Sequence, residues 1–155
     1  MSEKITSSVG TTISVALGAP ATYDEAGYTD VSMVYTEVGA VENLPEFGGA
    51  AETNSFTLLK TGQVIKRNGQ IDYGEITINV AGIMDDPGQL MMKAGFDGAE
   101  KGNVHSFKIS VPNQADFYVT GVIGSYRYNV ADASSMFRCS TSIRIDNTPV
   151  IVLPA

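Results

Sequence analysis

Few side chains in this sequence could do covalent chemistry. His105 is the single histidine and Cys139 the single cysteine of 155 residues. A serine or cysteine nucleophile needs a neighbouring base, and His105 would have to serve any such pair. It stands in "GNVHSFKIS", at the expected start of a strand, with no nucleophile motif around it. One cysteine excludes an internal disulfide and any multi-cysteine zinc site, and Cys139 reads as a small buried residue. Asp85 and Asp86 form an acidic pair, but a helix start explains them more simply than a metal does. "GFDGAEKG" has the wrong glycine spacing for a phosphate loop and follows a helix rather than a strand. There is no tryptophan, so a carbohydrate platform would rest on the seven tyrosines. The sequence gives no positive signal for an enzyme and calls for no metal or cofactor.

The elements that would carry these residues are mostly strands. The length suits one domain over 1–155, with an N-terminal arm at 1–10 and a C-terminal arm at 147–155. "TTISVAL" alternates, with Ile13, Val15 and Leu17 on one face. "GAPATYDEAG" and "PEFGGAAETN" read as loops, and Val34 to Leu44 as a second strand weakened by Gly39. Glu75 to Ile83 sets Ile76, Ile78 and Val80 opposite Glu75, Thr77 and Asn79. In "DDPGQLMMKAGFDG", Asp85 or Asp86 can cap a helix, Pro87 suits its first position, and Leu90, Met91 and Ala94 share a face. Three strands follow. "HSFKISV" has Phe107, Ile109 and Val111 on one side. "ADFYVTGVIGSYRYNV" is apolar on both faces, as a strand covered on both sides should be. "MFRCSTSIRID" alternates most cleanly. The expected fold is α+β, mainly β: an antiparallel β-sandwich or part-barrel with one short helix at about 86–95 and a long protruding loop or hairpin at about 48–74. The apolar end, with Val150, Ile151 and Leu153, should dock on the same or an adjacent subunit.

Charge is divided along the chain. The formal net charge is -7, and all of it lies between Ile5 and Leu59, a span without Lys or Arg. That span holds Asp24, Glu25, Asp30, Glu37, Glu42, Glu46 and Glu52. The ribbon "LLKTGQVIKRNGQIDYG" then brings Lys60, Lys66 and Arg67 close together. An acidic surface and a basic ribbon can meet between subunits and give the contact direction. Lys60, Gln63, Lys66 and Arg67 are therefore candidate inter-subunit residues, with Glu42, Glu46 and Glu52 as acids to receive them. Two turns compete within the ribbon, Lys60-Thr61-Gly62-Gln63 and Arg67-Asn68-Gly69-Gln70. With few large apolar residues, the ribbon is expected to be ordered by a neighbour. No apolar run approaches bilayer length, and "MSEKITSSVG" has no apolar signal core, which points to synthesis in the cytoplasm.

The order of four segments resembles the major tail tube proteins of long-tailed (siphovirus-type) bacteriophages. They are "GAPATYDEAGYTDVSMVYTEVGAVENLPEFGG", "KRNGQIDYGEITINV", "DDPGQLMMKAGF" and "HSFKISVPNQADFYVTGVIGSYRYNVADASSMFRCSTSIRID". Together they cover most of Gly18 to Asp146; "EVGAVENLPEFG" and "TGVIGSY" are the more specific parts. The resemblance implies a virion protein that forms rings of six stacked head-to-tail into a tube. It implies tape measure, tail terminator and distal tail proteins as partners, DNA passing through the bore without specific binding, and no membrane. Assembly would take place in the host cytoplasm. Lys108, Arg138 and Arg144 beside Glu75 would make a bore lined by the polar strand faces mixed in charge. A tube of a contractile tail or type VI secretion-like machine is the nearest alternative, and neighbouring sheath genes would distinguish it. A monomeric β-sandwich binding module is the next.

Overall fold

The computed structural model describes residues 5–153. Its elements in chain order are β1 (Thr12–Leu17), α1 (Glu25–Tyr28), β2 (Thr36–Glu37), β3 (Val41–Asn43), β4 (Ala50–Thr57), β5 (Val64–Asp72), β6 (Glu75–Ala81), α2 (Pro87–Asp97), β7 (Val104–Val111), β8 (Ala115–Asn129), β9 (Arg138–Ile145) and β10 (Val150–Val152). One antiparallel sheet runs β2-β1-β7-β8-β9-β6-β3, with β10 added beside β8, and curls into a half-barrel. β4 and β5 form a separate two-stranded sheet. The architecture is the expected mainly β part-barrel, built from one curled sheet rather than two facing ones.

Alternation decides the faces. Ile13, Val15, Phe107, Ile109, Val119, Ile123, Ile143, Ile76, Ile78 and Val80 all point to one side and are almost completely buried. β8 keeps its hydrophobic residues on that side by a bulge at Gly124: Ile123 pairs with Ile143, while Ser125 pairs with Ser142. The bulge carries Tyr126 and Tyr128 onto the face of Thr141 and Cys139.

α2 closes the core side. Pro87 begins it, and the Asp86 carboxylate accepts the backbone N–H of Gln89 at 3.0 Å and that of Gly39 at 3.1 Å. The buried stripe is Gly88, Gln89, Met92 and Gly95, and Leu90 is exposed. This rotates the helix away from the expected Leu90, Met91 and Ala94 face. The reason is close approach: a Cβ on Gly88 would strike the Glu37 carbonyl oxygen, and one on Gly95 the Ile123 and His105 side chains. Small residues let the helix lie against the sheet, and Gln89 fills a polar gap there. Its Nε2 donates to the carbonyls of Gly39 and Ala81 at 3.0 and 2.9 Å, and its Oε1 accepts from Ile83 N–H at 3.1 Å.

Three other expectations change, and one of the two turns left open in the 48–74 ribbon is taken. Val34 to Leu44 is not one strand: Ala40 takes a left-handed conformation (φ 57) and splits it into β2 and β3. The "GAPATYDEAG" loop contains α1, where the Asp24 carboxylate accepts Gly27 N–H at 2.9 Å. The second half of "PEFGGAAETN" is strand, because β5 supplies its partners. The 48–74 ribbon is a regular hairpin within the single chain. Its turn lies at Leu58–Gln63, closed by Leu58 N–H to Gln63 O (2.8 Å), with Gly62 at φ 72. Asn68-Gly69 is inside β5 beside a bulge, since the turn is set by where the strands pair.

Replacing Gln89 by Ala leaves three backbone groups without their partner, and should cost about 2–4 kcal/mol. The melting temperature should fall by roughly 5–15 °C; an unchanged value would show that the network carries no weight.

Candidate assembly surfaces

The chemically reactive side chains are held apart. His105 is buried under α2, with Nδ1 2.9 Å from the Asn103 carbonyl oxygen. It pairs across the sheet with Gly121, whose other neighbour is Ile145. Cys139 is buried six residues back along β9, roughly 20 Å away at about 3.4 Å per residue. A Cys-His couple is geometrically impossible here. Among the described residues no three His, Cys, Asp or Glu side chains gather as a metal site, and no helix is long and apolar enough to cross a membrane.

Three surfaces stand out instead. The first is the β4–β5 hairpin. Every residue of β4 is exposed, and in β5 only Ile65 and Gly69 are even partly covered. Direct cross-strand pairing places Phe56 opposite Ile65 and Asn54 opposite Arg67 on one face, with Ser55 opposite Lys66 and Thr57 opposite Val64 on the other. Lys66 and Arg67 therefore project to opposite sides. Lys60 stands in the tip beside Leu59, which is fully exposed. Gln63 closes the tip, its N–H reaching Thr61 Oγ1 at 3.3 Å. Glu52 sits on the same hairpin, in β4 opposite the bulge that Gly69 and Gln70 make in β5. Lys60, Lys66 and Arg67 make no ion pair among the described residues, whereas Lys93, Lys108, Arg138 and Arg144 each do.

The early acids are divided between jobs. Thr22 O–H and Gly27 N–H hold the Asp24 carboxyl below its usual range, and Ser32 N–H does the same for Asp30. Glu42 lies 2.9 Å from Arg138 Nε, so it is neutralised within its own chain. Glu25, Glu37, Glu46 and Glu52 have no ion pair among the described residues. Glu46 stands exposed on the rim of the second surface, a groove of about 610 Å³ floored by Ile13, Val41, Leu44, Phe47 and Ile109.

The third surface is the outer face of β6, β9 and the second half of β8. Thr77, Ser142 and Ser125 form one row, with Ser125 Oγ 2.8 Å from Ser142 Oγ. Asn79, Ser140 and Arg127 form the next. The Arg144–Glu75 pair (3.3 Å) flanks these rows at one end and Arg138–Glu42 at the other. Of the charges that the sequence sets on these polar strand faces, Arg138, Arg144 and Glu75 are ion-paired. Lys108 lies apart, on β7 near Asp116 at 3.9 Å.

Val150 and Ile151 lie in β10, which pairs with Asp116–Tyr118 of β8 in the same chain. Leu153 is exposed. The crossing from β9 is fixed by Asn147, whose Oδ1 accepts Thr120 N–H (3.1 Å) and whose Nδ2 donates to the Tyr28 hydroxyl (3.0 Å). No sequence signal marked Asn147, because its partners are 27 and 119 residues away.

The molecule is thus a curled antiparallel sheet with a helix on its core side and a projecting hairpin. The chain matches no family model and no curated protein sequence. Its fold matches solved structures end to end. A chain of the anti-feeding prophage (AFP) baseplate, in a six-fold symmetrised cryo-EM structure, superposes with a TM-score of 0.74 at 10% identity, covering 98% of this chain and 97% of that one. The PVC sheath/tube terminator of an extracellular contractile injection system gives 0.68 at 13%, covering 99% of both chains. The SPP1 tail tube gives 0.59 at 11%, covering 92% of this chain and 77% of that one. At these identities the likeness is one of fold.

Ending the chain after Thr148 removes β10 and bares β8 at Asp116–Tyr118. The expected cost is about 2–4 kcal/mol of monomer stability, read by urea unfolding, because ladder hydrogen bonds and the packing of the half-buried Val150 and Val152 are lost together. An unfolding curve identical to the parent would mean that β10 does not secure the domain.

Proposed function

We propose that this chain is a structural virion protein, the subunit of hexameric rings that stack into a phage tail tube through which DNA leaves. The observation that carries this reading is the β4–β5 hairpin. A two-stranded hairpin exposed on both faces is marginal in water and is completed by contact with another chain. The fold shared with chains of a baseplate, a tube terminator and a tail tube supports the reading, as does the six-fold symmetry of the AFP baseplate structure. The Ser, Thr and Asn rows of the outer sheet face suit the bore. Arg138 and Arg144 on their flanks are ion-paired, which leaves Arg127 as the unpaired cation of these rows among the described residues, so phosphates are held weakly and DNA can slide past. Tape measure, terminator and distal tail proteins are then the partners at the ends of the tube.

A second reading has a specific observation in its favour. The two contractile-system chains superpose with higher TM-scores, 0.74 and 0.68, than the SPP1 tail tube at 0.59. A gene for a sheath protein beside this one would favour a contractile tube, and its absence from a complete tail gene cluster the non-contractile one.

Negative-stain microscopy of the concentrated protein should show rings or tubes of uniform width; featureless monomers at every concentration would refute both readings. Within tubes, exchanging Lys66 and Arg67 for Glu should leave the circular dichroism unchanged and raise the concentration needed for assembly. Each exposed ion pair contributes only about 0–1 kcal/mol, but the contact recurs in every subunit. Added salt should act on the parent in the same direction.

A further inference from the structure

We propose that the groove between the N-terminal segment and the β3–β4 link is the socket for the hairpin tip of a second copy of this chain, with Leu59 entering its apolar floor and Lys60 meeting Glu46. This rests on the tube reading and names the partner surface within it.

The groove has the character of a binding site. Its volume, about 610 Å³, lies inside the range of ligand pockets, roughly 300–1,000 Å³. Ile13, Val41, Leu44, Phe47 and Ile109 make its floor apolar. Thr11 lines it too, and its Oγ1 is buried without a hydrogen-bond partner among the described residues. Such a hydroxyl gains a bond when a polar group enters. On the rim, Glu42 is occupied by Arg138, which leaves Glu46 as the carboxylate available to an incoming cation.

The hairpin tip is the matching plug. It presents a fully exposed leucine immediately beside an unpaired lysine, in a turn closed by its own backbone hydrogen bonds. The order of the two residues suits the socket, an apolar floor under an acidic rim. Burial of one leucine and one screened ion pair is modest per contact, as a repeating lattice contact can be.

The plug must come from another copy. Phe47, in the floor of the groove, lies just before the hairpin begins at Ala50. Eight residues of β4 then carry the tip roughly 27 Å away at about 3.4 Å per residue. A paired hairpin of that length does not fold back on its own base. Plug and socket are different surfaces at opposite ends of one element, so each copy can receive one neighbour and engage another. That is a heterologous contact, which propagates as a ring or filament.

The test uses the full chain carrying Leu59→Cys and Glu46→Cys. Cys139 is buried, so the two new thiols are the accessible ones. Under mild oxidation in assembled tubes, a ladder of covalent dimers, trimers and higher species should appear on a non-reducing gel. Chains with either substitution alone should give no ladder. Leu59→Ala should raise the concentration needed for assembly about tenfold, with an unchanged monomer melting temperature, because that side chain touches nothing in the monomer. A disulfide between the two introduced thiols within one chain would mean that the groove takes its own hairpin and would overturn the proposal. Dimers from the chain with Leu59→Cys alone would put tip against tip, with the same consequence. Tubes without a ladder would overturn the socket and leave the tube reading standing. A parent chain, with Leu59 and Glu46 intact, that stays monomeric at every concentration would overturn both.

Discussion

The two-sided burial of β8 is the constraint on which the rest of the structure depends. This strand pairs with β7 along Ala115–Val122, with β9 along Gly121–Asn129, and with β10 at Asp116–Tyr118. Val119 and Ile123 face the core under α2. On the other side Tyr118 stacks on Tyr28 at a centroid distance of 5.3 Å, with Tyr35 tilted against it at 5.8 Å. Burial raises all three phenols above their ordinary range. A strand covered on both faces at one end and open to solvent at the other divides the sheet. Its first half anchors the α1 region and the C-terminal strand, and its second half presents the polar rows.

Electrostatics follow the fold rather than the linear order of charges. The acids gathered before Leu59 and the bases gathered after it look, in one dimension, like two complementary surfaces waiting for separate subunits. Folding brings part of that complement together inside one chain, as Arg138 with Glu42. Local amide groups occupy Asp24 and Asp30. What remains outside ion pairs among the described residues is Lys60, Lys66 and Arg67 on the hairpin and Lys101 and Arg127 elsewhere, with Glu25, Glu37, Glu46 and Glu52 among the early acids. Since exposed pairs are weak singly, specificity in such a contact must come from shape as well as charge.

The domain's stability and its reach are assigned to different parts. The core needs only the main sheet and α2, and no hairpin residue belongs to the central hydrophobic cluster. The hairpin can therefore vary in charge and in tip sequence without disturbing the fold. The single chain leaves its Phe56, Leu59, Val64 and Ile71 exposed.

Much of this was written in the sequence. Strict alternation in β6, β7 and β9 determined their faces, because a period of two admits only one core side. Asp86 and Pro87 determined where α2 begins. The absence of nucleophile partners around His105 and Cys139 was legible too, and the fold sets those two residues far apart. Other features depended on contacts distant in sequence. Ala40 splits an apparently continuous strand, and Gly88 and Gly95 turn α2 so that Gln89, not Leu90, is buried. The turn of the hairpin falls at Gly62 rather than at Asn68-Gly69, because pairing along the whole of β4 and β5 fixes the register, while a dipeptide preference acts on two residues. The partner of Glu42 lies 96 residues away on β9. Local sequence carries periodicity and caps; which charge meets which, and which helix face is inward, are decided only when separated segments compete for the same space.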